Sequence, residues 1–135
     1  MRVERFEDLI AWQKARVLTK DVYLTTMNPR FERDFALCGQ IRKSAISVPS
    51  NIAEGFERGG RREFHQFLSV AKGSCAELRT QIYIAADIGY IDQPTADKLL
   101  AAAAEVGRIV GGLRKAVAKQ RTQSSVLSPQ SSPRS

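Results

Sequence analysis

The stretch SVPSNIAEGFERGGRREF, residues 47–64, decides the fold of this 135-residue chain. Its Gly59-Gly60 pair separates two stretches with strong helical periodicity, so it predicts a turn between two helices. Pro49 lacks the N–H that would bond to the Ala45 carbonyl. We therefore expect a kinked helix before the turn. The alternative is a break at the proline and a new helix that begins with a capping box over 51–54.

Working outward from this turn, helical periodicity predicts four helices, over about residues 6–27, 33–58, 61–88 and 94–120. Asn28-Pro29 ends the first helix, Gly89 ends the third, and Asp92 is the expected N-cap of the fourth. The expected apolar faces are Phe6, Ile10, Val17 and Leu24; Cys38, Ile41, Ala45, Val48, Ile52 and Phe56; Phe64, Leu68, Ala71, Cys75, Leu78, Ile82 and Ala85; and Ala96, Leu99, Ala103, Val106, Val110, Leu113 and Val117.

Short connections between long helices favour antiparallel neighbours. The sequence therefore predicts an all-α fold, an antiparallel up-down-up-down four-helix bundle over residues 1–120. The remaining segment 121–135, RTQSSVLSPQSSPRS, is rich in serine and proline and has few apolar residues, so we expect a disordered tail.

The charge balance indicates the class of partner. The formal net charge is +7 and the isoelectric point about 9.9, which favours a polyanion such as RNA or DNA. The start of the chain, MRVERFEDL, lacks the apolar run of a signal peptide, and no segment reaches the length of a membrane span. We expect a soluble, cytoplasmic protein with buried free thiols at Cys38 and Cys75 and no membrane partner.

Small residues within the predicted helices suggest contact between backbones. Glycine costs about 0.5–1 kcal/mol against alanine inside a helix, a cost tolerated where another backbone comes close or where a site is simply exposed. Additional apolar residues lie off the main face of the first helix. Together these features predict self-association, and the residues concerned are Gly73, Gly107, Gly111 and Gly112, with Trp12, Val22 and Tyr23.

Three motifs carry a family resemblance: FEDLIAWQKA near the start, IRKSAISVPSNIAEGFERGGRREFHQFLSVAKGSCAELRTQI in the middle, and AADIGYI after it. Over residues 5–118 the chain resembles the proteins of the 23S rRNA intervening-sequence family, which includes the accessory variability determinant of diversity-generating retroelements. The resemblance implies a basic helical bundle that assembles as a homopentamer. In the retroelement branch it implies a nucleic-acid-binding partner of a reverse transcriptase. It supplies no catalytic residues.

Basic residues collect at the turn between the second and third helices, along the third helix and on the polar side of the fourth. We predict that they bind nucleic-acid phosphates; the alternative is an ordinary solvated surface. In a symmetric ring, the turn would repeat around one rim. No aromatic residues interleave with them, so binding should be independent of sequence. The predicted binding residues are Arg58, Arg61, Arg62, Lys72, Arg79, Arg108, Lys115 and Lys119.

We expect a second group of polar residues to have structural roles. Residues equally distant from the Gly59-Gly60 turn lie level in an antiparallel pair, which places Glu77 beside Arg42. We predict partly buried contacts that fix helix register or a subunit interface, formed by Arg42, Asn51, Glu54, Ser74 and Glu77.

Enzyme chemistry has little support in the sequence. A di-iron bundle needs Glu-x-x-His pairs, and His65 is the only histidine, so no metal or cofactor is expected. Arg58 and His65 resemble the Arg/His spacing of HEPN ribonucleases, with the histidine as general acid or base. We predict a protein that is not an enzyme, with a protein-binding scaffold and this ribonuclease as the alternatives.

Overall fold

The computed structural model describes the backbone of residues 3–127 and the side chains of residues 3–119. A 3-10 helix at Phe6–Asp8 precedes five α-helices, which are α1 (Ile10–Thr25), α2 (Pro29–Arg33), α3 (Phe35–Glu57), α4 (Arg61–Ile88) and α5 (Gln93–Leu127). The described residues contain no strand. Both α1 and α4 pack against α3 and α5, so the four long helices close into a bundle. The predicted antiparallel four-helix bundle is confirmed.

The core lies where the sequence predicts it for α3, α4 and α5. The apolar residues expected on these three helices are buried, and only Phe56, Phe64 and Leu113 are half-buried at the edges of the core. The core combines alanines with larger aliphatic side chains, which allows close interdigitation of the helices.

The predicted face of α1 is wrong. Ile10, Val17 and Leu24 are each more than half exposed, and α1 instead buries Ala11, Ala15, Leu18 and Val22. The alanines allow the α1 backbone to approach its neighbours closely, so the bundle uses the stripe with the smaller side chains. The larger aliphatic residues form an apolar stripe on the outer surface of the bundle.

Residues 35–57 form one helix through Pro49, which excludes the break-and-restart alternative. The Ala45 carbonyl, which has no N–H partner at Pro49, lies 3.0 Å from the hydroxyl of Thr19 on α1. The same hydroxyl lies 2.8 Å from the Ala15 carbonyl, so one proton serves two acceptors. A contact between helices thus supplies the hydrogen bond that the proline removes.

The turns follow the predicted chemistry. Gly59 and Gly89 have φ angles of 80° and 94°, the left-handed region that glycine adopts without strain. Asp92 caps α5, because its Oδ1 accepts a hydrogen bond from the Thr95 N–H at 2.9 Å. Hydrogen bonds from Thr95 lower the pKa of the Asp92 carboxyl.

Sequence patterns did not predict the short helix α2. The Asn28 side chain caps it by accepting from the Phe31 N–H at 2.9 Å, and Pro29 occupies the first turn. The ring of Phe31 is fully buried and lies 5.1 Å from the ring of Tyr90. The Tyr90 hydroxyl donates to Asp34 at 2.9 Å, so the α4–α5 connection is bound to the start of α3.

This contact predicts a pH-dependent loss of stability. The hydrogen bond to Asp34 raises the Tyr90 pKa above its ordinary value of 10.0. The bond therefore contributes stability that is complete below pH 10 and is lost as the pH rises through the raised pKa. We expect Tyr90→Phe to lower the thermal midpoint at pH 8 and the deficit to shrink above pH 10. Circular dichroism melts measure the thermal midpoint, with the exposed Tyr83→Phe as the control. A difference in midpoint that stays constant across this pH range would contradict a stabilising Tyr90–Asp34 hydrogen bond.

Helix α5 extends to Leu127, seven residues into the segment predicted as a tail, and the domain boundary at residue 120 stays a prediction. Residues 121–127 contain no helix breaker, and the first proline of the segment is Pro129. The rest of the predicted tail, 128–135, lies outside the described residues, and its disorder stays a prediction. No helix among the described residues is long and apolar enough to span a membrane.

Candidate nucleic-acid interface

A groove runs between α4 and α5, with a volume of about 540 Å³. Lys72 and Arg79 line it from α4, and Arg108 and Arg114 line it from α5. Lys72, Arg79 and Arg108 are among the predicted binding residues, and the fold brings all three together. Arg114 was not predicted. We call this feature the α4–α5 groove, and these four residues the groove cations.

Small side chains make room for the groove. Gly73 and Ala76 on α4 face Ala104 and Gly107 on α5. A Cβ atom added at Gly107 would lie 3.7 Å from the Cβ atom of Cys75, an ordinary contact distance, and one added at Gly73 would meet open space. The predicted close backbone approach therefore explains neither glycine. Together the small residues keep the floor of the groove low between long cationic side chains.

The groove cations are not neutralised by neighbouring acids. No acidic residue lines the groove, and none of the four makes an ion pair within the described part of the chain. The Arg114 Nε atom is buried and has no hydrogen-bond partner among the described residues. A buried donor without a partner costs about 1–3 kcal/mol, more when it is charged. The site therefore has unused capacity to bind an anion.

The thiol of Cys75 lines the same groove. Burial raises the pKa of this thiol to about 11, while the charges of Lys72 and Arg79 act in the opposite direction. At neutral pH the thiol is protonated, so it adds no negative charge and is a poor nucleophile. It serves as a small apolar side chain in the groove.

Antiparallel packing fixes the order of the cations along the groove. Cys75 lies level with Gly107, so Arg108 lies near the level of Ser74 and Arg114 one turn before Lys72. Along the groove the order is then Arg114, Lys72, Arg108 and Arg79, which alternates between the two walls. At 1.5 Å of rise per residue the intervals are about 3–8 Å and the whole series spans about 16 Å.

The other predicted binding residues lie at the end of the bundle where α3 turns into α4. Arg58 is paired with Glu54 at 2.9 Å and lies over the Phe67 ring at 5.0 Å, so its charge is partly compensated. Arg61 and Arg62 are exposed in the first turn of α4, and His65 is half-buried one turn further on. Two further predicted residues, Lys115 and Lys119, lie on the second half of α5 beside this end of α4. Both are exposed.

The polar residues assigned to structure lie in two separate places. Ser74 is buried, and its hydroxyl lies 2.8 Å from that of Ser47, to which the Asn51 amide also donates at 2.9 Å. This network fixes the register of α3 against α4 within the chain. Glu54 and Glu77 are exposed.

Arg42 does not contact Glu77. Its Nε donates to the Thr26 hydroxyl at 2.8 Å, its Nη2 lies 3.6 Å from Glu32, and its guanidinium stacks over the Tyr23 ring at 5.0 Å. These partners lie on α2 and at the C-terminal end of α1, so Arg42 joins α3 to that part of the bundle.

The fold and the groove together define an antiparallel helical-bundle protein with a basic groove between two of its helices. The sequence profile described as "23S rRNA-intervening sequence protein" matches residues 7–112. The chain belongs to this family.

A solved structure supports the fold. It is a crystal structure of a protein with unknown function from the S23 ribosomal protein family of Bacteroides thetaiotaomicron. It matches with a TM-score of 0.72 at 19% identity, over 78% of this chain and 99% of that one. No curated protein sequence matches the chain.

Proposed function

We propose that this protein is a homo-oligomeric nucleic-acid-binding bundle that is not an enzyme and that binds phosphates in the α4–α5 groove. One observation carries the proposal: four cationic side chains from two helices share one groove, and no described residue that lines it is acidic. Phosphate backbones supply a regular row of negative charges, and their condensed counterions are released when such a surface binds. The net charge of +7 also favours binding to a polyanion.

The composition of the groove indicates what the protein recognises. No aromatic side chain among the described residues lines it, so this part of the chain offers no platform on which a base could stack. Contacts to phosphates position a nucleic acid without distinguishing its sequence. We therefore propose binding that depends little on sequence. The ribonuclease alternative gains no support, because His65 does not line the groove and Arg58 is paired with Glu54.

The outer surface supports self-association. The α1 stripe of Ile10, Val17 and Leu24 is exposed, and Phe35 at the start of α3 is 84% exposed. Large apolar side chains that repeat along a helix are typical of surfaces that a partner covers. A second copy of the chain is the partner that we propose, and the number five rests on the family resemblance. Sedimentation equilibrium tests the proposed self-association. A stable monomer of 15.0 kDa would contradict it.

Fluorescence anisotropy of two unrelated labelled RNA strands tests the proposed binding. Four phosphate contacts to a single strand should give a slope of log K against log salt of roughly −2.8, since each contact contributes about −0.7. Both sequences should bind with similar affinity and remain intact on a gel. Absence of binding at low salt would favour the protein-binding scaffold. Cleavage that is lost in His65→Ala and Arg58→Ala would favour the ribonuclease.

A further inference from the structure

We propose that the α4–α5 groove accepts one nucleic-acid strand that lies along the two helices, and that the protein therefore selects single strands over duplexes. This inference rests on the proposed nucleic-acid binding and specifies its substrate class. It follows from the order of the cations, the width of the groove and the position of Arg114.

The order of the groove cations matches a single backbone. They alternate between the walls at intervals of about 3–8 Å along some 16 Å. A single strand that stays stacked as in duplex DNA, with about 3.4 Å of rise per nucleotide, places four or five phosphates over this length. A strand in the middle of the groove would meet a cation from α5, then one from α4, and so on. A compact anion could reach only two or three of the four.

The width of the groove excludes a duplex from its interior. Neighbouring packed helices have axes about 8–10 Å apart, so a groove between two of them is no wider than about this distance. The major groove of B-DNA alone is about 12 Å wide, and the whole duplex is wider still. A duplex would therefore rest on the rim, where it meets the exposed side chains of Lys72, Arg79 and Arg108.

Arg114 separates the two modes of binding. Arg114 is half-buried, in contrast to the other three groove cations, which are exposed. It lines the groove, so a phosphate inside the groove comes closer to its guanidinium than a phosphate of a duplex on the rim. Its contribution should therefore appear with single strands and be absent with duplexes.

The bases of such a strand should point away from the groove. Ser69, Gly73, Cys75 and Ala76 provide no ring for stacking, and the recognised groups are all on the backbone. An abasic strand, which retains its phosphates and lacks its bases, should then bind almost as well as a normal strand. This prediction distinguishes the groove from surfaces that bind single strands through aromatic residues.

The experiment compares three fluorescein-labelled 12-mers by anisotropy at 0.1 M salt: a DNA strand, the same strand in a blunt duplex, and an abasic strand. We expect the single strand to bind up to about fivefold more tightly than the duplex, the value of the Arg114 contact at 0.1 M salt, and the abasic strand to bind within threefold of the single strand. Equal or tighter duplex binding would overturn the inference and leave the proposed function intact. No binding to any probe would overturn both.

Two variants test which groove cation is responsible for the preference for single strands. Arg114→Gln should weaken single-strand binding roughly fivefold, the value of one contact at 0.1 M salt, and leave duplex binding unchanged. Arg79→Gln, on the exposed rim, should weaken both. Circular dichroism verifies that each variant is folded. An equal loss for both probes in Arg114→Gln would contradict the inference, and the wild-type comparison tests it independently of either variant.

Discussion

Replacing Lys72, Arg79, Arg108 and Arg114 together with glutamine should reduce single-strand affinity several hundred-fold at 0.1 M salt. Each phosphate contact to a single strand contributes about 0.7 to the slope of log K against log salt. Four contacts contribute roughly 2.8, which corresponds to about 600-fold between 1 M and 0.1 M salt. The variant should therefore bind weakly at every salt concentration and show an almost flat slope in anisotropy titrations.

A matched variant controls for total charge. Lys20, Arg33, Lys43 and Lys98 are exposed and do not line the groove, and their replacement by glutamine removes the same four charges. We expect a loss of less than tenfold, because distant charges are screened over about 10 Å at this ionic strength. Equal losses in the two variants would show that affinity comes from net charge rather than from the groove.

The arginines of the α3–α4 turn provide a third comparison. The sequence predicts that replacing Arg58, Arg61 and Arg62 with serine flattens the salt slope, since the turn faces solvent. The pairing of Arg58 with Glu54 reduces the positive charge that this end can offer. We therefore expect a smaller effect than in the groove variant.

Gly55→Ala should destabilise the bundle although it replaces a glycine within a helix. A Cβ atom at this position would lie 2.6 Å from the Cβ of Phe67 and 3.1 Å from the Cδ1 of Phe64, well inside the 3.5–4.0 Å of favourable carbon contacts. Because the Phe67 atom is attached directly to the α4 backbone, α3 and α4 must move apart. Overpacking of this kind costs about 1–3 kcal/mol, which exceeds the 0.5–1 kcal/mol gained in helix propensity.

Gly39→Ala is the matched control, because it lies in the same helix α3 and nothing is within 4 Å of an added Cβ atom. It should stabilise the protein by about 0.5–1 kcal/mol. Chemical denaturation measures both variants, and the expected changes have opposite signs. Stabilisation by Gly55→Ala would contradict the tight α3–α4 crossing.

Most of the fold could be predicted because α3, α4 and α5 each have a single continuous apolar stripe. The first helix has two stripes, one of large aliphatic residues and one with Ala11 and Ala15. Periodicity identifies both but does not determine which one the bundle buries and which one remains outside. That choice depends on how closely the neighbouring backbones approach.

Contacts between distant segments could not be predicted from the sequence either, because they too depend on how the helices pack. The bond from Thr19 to the Ala45 carbonyl requires the exact height of α1 against α3, which no local pattern encodes. The close contact at Gly55 likewise arises from the crossing with Phe67 on α4. The sequence places Gly55 in the predicted second helix and gives no signal for this contact.

The candidate site could be predicted in part. Lys72, Arg79 and Arg108 were recognised by their charge, whereas their convergence with Arg114 depends on the register of α4 against α5. A signal for that register was present, because the Gly89 turn and the Asp92 cap fix where α5 begins. Counting outward from this connection places Arg108 near the level of Gly73 and Ser74, which would have indicated the shared groove.

Lysine footprinting tests the central claim most directly. The protein is acetylated with and without a single-stranded 12-mer, and the modification of each lysine is measured by mass spectrometry. We predict strong protection of Lys72 in the α4–α5 groove, and unchanged modification of Lys20, Lys43 and Lys98 on other surfaces. Full modification of Lys72 in the presence of saturating strand, or protection confined to the other three lysines, would contradict binding in the groove.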